Sequence, residues 1–277
     1  MGFRINTNVE SMVAQNNLNK VTTRQNSALE KLSSGSRINK AGDDAAGLAI
    51  SEKLKAEIRG TQQATRNTGD GISLIQTAEG GLNEVSNILI RLRELSVQAA
   101  SDTVGDQERK FSDLEFKNLT QEIDRIAKST EFNGKKLING EGDSLDFQIG
   151  TRNEPGFDRL SYTPAGTNAT GEALGVASLG VLTKEDAQQN LEKIDSAING
   201  VNSNRANLGA LQNRLQSTIA NLDVKTENLS AANSRIRDTD VAETSAELTK
   251  TNILSAASTS VLAQANNSQQ AALKLIG

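Results

Sequence analysis

"LEKIDSAINGVNSNRANLGALQNRLQSTIANLDVKTENLSAANSRI", residues Leu191–Ile236, carries Ile194, Val201, Leu208, Leu215, Leu222, Leu229 and Ile236 at intervals of seven without a miss. Seven residues is close to two helical turns, so this spacing keeps one stripe of a helix facing a partner. The companion heptad positions are mixed: Leu191, Ile198 and Ile219 are apolar, whereas Arg205, Gln212, Thr226 and Asn233 are polar. A two-stranded coil needs both stripes apolar. One good stripe beside a mixed one suits a helix that packs in a bundle and leaves a flank for other subunits. At 1.5 Å per residue the stretch would span roughly 70 Å, long for a compact domain and natural for a rod.

Partners for this helix lie upstream. Ile75, Ala78, Leu82, Val85, Leu89 and Leu92 step by three and four, as do Phe116, Leu119, Ile123 and Ile126, which predicts two more amphipathic helices joined by "SDTVGDQE". Residues 131–182 read differently, with both prolines, the one tyrosine and nine of the 22 glycines. There Leu145, Phe147 and Ile149 alternate with polar residues, as do Leu160 and Tyr162, around the turn "RNEPG", which predicts a β-hairpin. The two ends repeat the helical step in diluted form: Ala14, Leu18, Val21, Gln25, Ala28 and Leu32, then Leu254, Ala257, Val261, Gln264, Ser268, Ala271 and Leu275. They can pair as a slim coiled coil, but neither has the apolar content to hold it firmly alone. The expected fold is mainly α: a long antiparallel helical bundle and coiled-coil rod with a small β-hairpin subdomain. Its parts are residues 1–42 and 237–277 as halves of the terminal coiled coil, 43–130 and 183–236 as halves of the helical rod, and 131–182 as hairpin and turns.

Composition narrows the chemistry. Histidine, cysteine and tryptophan are absent, which removes imidazole bases, thiolate nucleophiles and the usual zinc ligands. Aromatics are 3% of the chain and the net charge is −4 with both signs interspersed, so nothing resembles a nucleic-acid footprint. No apolar run approaches the roughly 20 residues of a membrane span, and "MGFRINTNVE" lacks the apolar core of a cleaved signal peptide. Phosphate-loop, calcium-loop and dinucleotide patterns are missing. Two acidic clusters remain, Asp43 with Asp44 in "GDDAAGLAIS", and Asp238, Asp240 and Glu243 in "RDTDVAET". Adjacent side chains on a helix diverge by about 100°, whereas an Asp at a helix start satisfies free N–H groups and complements the dipole. Both clusters therefore read as helix starts, with Asp238 or Asp240 as the second cap, and no cofactor or metal is expected.

"SSGSRINKAGDDAAGLAIS", "DGISLIQTAEGGLNEVSNILIRLRELSVQAA", "EIDRIAKSTEFNGKKL", "NRANLGALQNRL" and "SVLAQANNSQQAALKLIG" together closely resemble bacterial flagellin, across both ends and nearly the whole chain. The resemblance implies a non-enzymatic subunit that polymerises into the flagellar filament for motility. Its terminal helices would form an inner coiled coil, with Leu18, Val21 and Leu32 set against Leu254, Val261 and Leu275. With only about 50 residues between the helical halves, no variable outer domain is expected. The family often has proline in the segment matching "ANNSQQAAL", and this chain has none there. The resemblance also implies partners: further copies of the chain, a filament cap, hook-filament junction proteins and an export chaperone. It implies an extracellular site reached by the flagellar type III route without a cleaved signal peptide. Arg91, Leu95 and Glu115 match positions through which the Toll-like flagellin receptor of animals recognises the family; the plainer alternative has Arg91 and Glu115 in subunit contacts and Leu95 in the core. Two other readings compete, a hook-filament junction protein with the same terminal architecture and a carboxylate hydrolase hidden in residues 131–182.

Overall fold

A computed structural model describes the backbone of residues 7–274 and the side chains of 7–267. Helices α1 (Val9–Ser34), α2 (Ala45–Ala99) and α3 (Asp106–Ser129) come first, and α5 (Lys184–Arg237) and α6 (Val241–Lys274) last. Between them lie β1 (Glu131–Phe132), β2 (Lys135–Lys136), β3 (Leu145–Gln148), the single turn α4 (Pro155–Asp158) and β4 (Arg159–Tyr162). Two units result, Met1–Glu57 with Asn228–Gly277, and Ile58–Glu227, so α2 and α5 each contribute to both.

In the larger unit one core joins α2, α3 and α5. Ile75, Ala78, Leu82, Val85, Leu89 and Leu92 are fully buried, as are Phe116 and Ile123 of α3. Ile194, Val201, Leu208 and Leu215 of α5 belong to the same cluster. Leu222 is buried too, while Leu229 and Ile236, which belong to the smaller unit, are half-buried. Of the companion positions, Leu191, Ile198, Arg205, Gln212, Ile219, Thr226 and Asn233 are half-buried.

The predicted hairpin is present: β3 and β4 pair antiparallel with Leu145 opposite Tyr162 and Phe147 opposite Leu160. Ile149 lies just past β3, its N–H donating to the Asp158 carbonyl at 2.8 Å, and the "RNEPG" turn leads into α4. Tyr162 is buried and its hydroxyl meets the Leu137 carbonyl and the Thr167 hydroxyl, which ties the hairpin to the loops beside it. Burial, opposed by the Thr167 bond, pushes the Tyr162 pKa up. A second hairpin, β1 with β2, was not expected from the alternation pattern; its turn is Asn133–Gly134, with φ of 49° and 76°.

In the smaller unit α1 and α6 lie antiparallel. Asn8 Nδ2 donates to the Ala265 carbonyl at 3.0 Å, and Ser11 Oγ to Asn266 Oδ1 and Gln25 Nε2 to Asn252 Oδ1 at 2.7 Å each. Ala14 and Ala28 are buried at the seam, and Leu18, Val21, Gln25 and Leu32 are half-buried. From α6 the inward side chains include Leu248, Thr251, Ser255, Ser258, Leu262 and Ala265. That face corrects the expectation for α6, whose stripe through Leu254, Ala257, Val261 and Gln264 is exposed. The two stripes are offset by one residue, about 100° of rotation. Small and hydroxyl side chains between Leu248 and Leu262 let two helices approach, and Leu254 and Val261 are left outward. Ser268 and Ala271 have no described side chains, and Leu275 lies outside the described residues.

Candidate functional site

The acidic clusters are helix starts and loop anchors. Asp44 Oδ1 accepts the Gly47 N–H at 2.8 Å at the head of α2. A Cβ at Gly47 would stand 2.8 Å from Ile38 Cδ1, so a larger residue there would push that side chain aside. Asp43 has a separate job, its Oδ2 accepting the Asn39 and Lys40 N–H groups at 3.0 Å. The Lys40 bond, then the Asn39 bond, hold its carboxyl below the ordinary carboxylate value. Asp240 Oδ1 accepts from Ala242 and Glu243 at 2.8 and 3.2 Å, which makes it the cap of α6. Among the described residues no group of three His, Cys, Asp or Glu side chains could hold a metal ion.

These caps bring two connecting segments of the smaller unit together. Ser36 pairs with Asp238 in an antiparallel bridge, Arg37 N–H donates to the Arg237 carbonyl at 2.6 Å, and Thr239 N–H donates to the Gly35 carbonyl at 3.0 Å. Arg37 Nη2 adds a bond to the Ile236 carbonyl at 2.7 Å, and Arg237 pairs with Glu52. The chain's two halves are thereby locked at the root of the α1–α6 pair.

Beyond its narrow seam, that pair leaves apolar side chains exposed. Val9, Met12, Val13 and Leu29 of α1 are exposed, and so are Ile253, Leu254 and Val261 of α6, with Leu254 40% and Val261 59% exposed. The larger unit adds Ile90 and Val97 of α2 and Phe111 and Leu114 of α3. In α1, α2 and α3 these side chains fall off the three-four steps that mark the buried faces, a signal a sequence reading could have used, whereas Leu254 and Val261 lie on the stripe that the sequence marks as the packing face. Arg91 bonds Glu115 at 2.9 Å and Glu94 at 2.9 Å on the surface of this unit. Leu95 does not share that surface: it is 2% exposed and part of the core, where the plainer alternative has it. Four residues along a helix turn the side chain by about 40°, enough here to cross from surface to core.

Several polar groups that no pattern announced position these elements. Arg109 is buried and closes the end of α2, donating through Nε to the Ala99 carbonyl at 3.0 Å and through Nη2 to the Ser101 carbonyl at 3.1 Å. Asp113, also buried, accepts the Val181 N–H at 2.9 Å and pairs with Lys117 at 2.6 Å. The middle segment borders a cavity of about 910 Å³ whose acidic wall is Asp124, Glu141 and Glu172. Asp124 is engaged there by the Gly171 N–H at 2.8 Å and Glu141 by Asn139 Nδ2 at 3.1 Å.

Residues 5–143 match the family model described as the bacterial flagellin N-terminal helical region, and residues 191–276 match that of the C-terminal helical region. Flagellin of Halalkalibacterium halodurans is 48% identical over 272 residues, covering 98% of this chain and 99% of that one. Flagellin of Bacillus subtilis is 44% identical, over 99% of this chain and 100% of that one. Among solved structures, Bacillus cereus flagellin is similar with a TM-score of 0.50 at 31% identity, over 61% of this chain and 94% of that chain. A structure described as a flagellar hook-associated protein from Vibrio parahaemolyticus gives a TM-score of 0.59 at 14% identity, over 71% of this chain and 100% of that chain, a likeness of fold alone.

Proposed function

The chain belongs to the bacterial flagellins and is a structural subunit of the flagellar filament, and on that premise we propose how it assembles. Copies of the chain polymerise by covering the outward apolar side chains of α1 and α6. The observation that carries this reading is the contrast between a seam of Ala14, Ala28, Thr251 and Ala265 and an outer surface holding Leu29, Ile253, Leu254 and Val261. Burying a leucine or valine stabilises by about 1.5–3 kcal/mol, so the larger part of the coil's apolar burial is left to neighbouring subunits. Leu18, Val21 and Leu32 serve the pairing of the two ends, while Leu254 and Val261 serve contacts between subunits. Ile90, Val97, Phe111 and Leu114 add contacts between the larger units.

Further partners follow from family membership: a filament cap at the growing tip, junction proteins at the base, and a chaperone for export of the unfolded chain by the flagellar type III route. The absence of cysteine suits such a passage, since no bridge can form on the way. Recognition by an animal Toll-like receptor would fall on the Arg91–Glu115 pair, which subunit packing would compete for. The junction-protein reading has weaker support, resting on fold likeness at 14% identity against full-length relatives at more than 40%.

Seeded assembly of a Leu254→Gln, Val261→Gln variant tests the reading. Both positions are exposed, so the monomer's circular dichroism and melting should match wild type within about 0.5 kcal/mol per site. Elongation of filament seeds, read by electron microscopy, should fail. A variant that elongates seeds like wild type would refute the assigned contact face.

A further inference from the structure

One exposed side chain of the terminal coil carries a chemistry that packing alone does not call for. The chain has no cysteine, histidine or tryptophan, and its two methionines are Met1 and Met12. The single tyrosine is buried with its hydroxyl occupied. Among the described residues, Met12 is therefore the soft sulfur that solvent reaches: it is 56% exposed near the start of α1 and flanked by exposed Val9 and Val13. Ala14, two residues on, is buried at the seam with α6, and two residues turn the helix by about 200°, which explains why the thioether is left outside.

We propose that Met12 is an oxidation site that governs the subunit's competence to assemble, with a peroxide as oxidant. The proposal rests on the reading that the uncovered apolar side chains of α1 and α6 are filament contacts. A sulfur lone pair attacks one oxygen of hydrogen peroxide; the S–O bond forms as the O–O bond breaks, and the departing hydroxide takes the transferred oxygen's proton and leaves as water. Sulfur loses two electrons and the peroxide gains them, giving methionine sulfoxide. A flexible apolar group beside exposed Val9 and Val13 becomes a polar one. The monomer's fold does not depend on that side chain, so the change falls on assembly. In a filament the neighbouring subunit covers the sulfur, which makes the free subunit the vulnerable state. Sulfoxide reductases reverse the step, so the block is a switch and not simply damage.

The test treats full-length monomer and preformed filaments with hydrogen peroxide, quenches with catalase, locates the added oxygen by peptide mass spectrometry and measures the critical concentration for growth on seeds. Met12 should gain oxygen at least tenfold faster in the monomer than in the filament. The critical concentration of oxidised monomer should rise about ten- to hundred-fold, the penalty of burying an unsatisfied dipole, with circular dichroism unchanged. Methionine sulfoxide reductase should restore growth. Met12→Leu retains Met1, so it should grow equally before and after peroxide. Oxidised wild type that grows like untreated chain, equal oxidation in monomer and filament, or equal loss in Met12→Leu would each overturn the proposal. Should Met12→Leu fail to grow at all, the reductase arm decides: recovery supports the proposal and its absence overturns it. Untreated wild type that does not extend seeds would instead contradict the filament reading.

Discussion

Leu215→Ala sets the buried stripe of α5 against its outer end. Leu215 is fully buried in the cluster that joins α2, α3 and α5. The substitution deletes three carbon groups, worth about 0.8 kcal/mol each in transfer, or roughly 2.4 kcal/mol. Because the site is enclosed, a cavity term adds to this, and the expected loss is about 3–5 kcal/mol. For a unit of this size each kcal/mol lowers the melting temperature by about 2–4 °C, so the drop should be roughly 6–20 °C. Leu229, two heptads on, is half-buried and lies in the smaller unit. There the same deletion forfeits about half the transfer term and leaves no closed cavity, a loss of about 1 kcal/mol. Urea unfolding of the monomers, with the slope unchanged so that midpoints report stability, measures both. Equal losses at the two sites, or a loss under about 1 kcal/mol at Leu215, would refute the assignment of the stripe.

Adjacent glycines in α2 should respond in opposite directions. A Cβ at Gly81 would meet Thr130 Oγ1 at 2.7 Å and Ile138 Cδ1 at 2.9 Å, so Gly81→Ala should cost about 1–3 kcal/mol, while Gly80 has open space and Gly80→Ala should gain about 0.5–1 kcal/mol, both read from melting temperatures. Arg109→Met removes the donors that cover the Ala99 and Ser101 carbonyls and should lower the urea midpoint by the equivalent of about 2–4 kcal/mol; Arg109→Lys, with a compact ammonium, should rescue little of it. Since the Asp43 carboxyl is held below its ordinary value of about 3.9, its stabilisation of the 39–43 loop is present above that value and lost as the pH falls through the lower, folded one. Amide exchange at Asn39 and Lys40 should thus stay slow at neutral pH and lose protection only in strong acid, and protection lost between pH 7 and about 5 would contradict this.

Much of the architecture was legible because burial imposes a period. The heptad from Ile194 to Leu222 could be read directly, since a helix enclosed by two others must keep one aliphatic stripe. The starts at Asp44 and Asp240 were legible for an equally local reason, a carboxylate two or three residues before free N–H groups. The α6 face was misread because aliphatic content was the guide: Leu254 and Val261 outrank Thr251 and Ala265 in hydropathy, yet the smaller pair packs within the chain. That inversion fits the proposal that neighbouring subunits cover this surface. Leu95 was grouped with Arg91 by the family resemblance, and only tertiary packing separates a core leucine from a surface arginine one turn away. The β1–β2 hairpin had a signal, the Asn133–Gly134 pair suited to a two-residue turn with positive φ, but strands of two residues carry no alternation to confirm it. Arg109 and Asp113 had none, because a buried charge is defined by the carbonyls and amides that reach it from distant segments.

The central claim is that neighbouring subunits cover the outward faces of α1 and α6. A map of the assembled filament at side-chain resolution tests it most directly. The account predicts Leu29, Ile253, Leu254 and Val261 in van der Waals contact with adjacent chains, with the Ala14–Ala28 and Thr251–Ala265 seam retained within each subunit. A map with those four side chains facing solvent, or with α1 and α6 of one subunit separated and the seam exchanged between subunits, would contradict it.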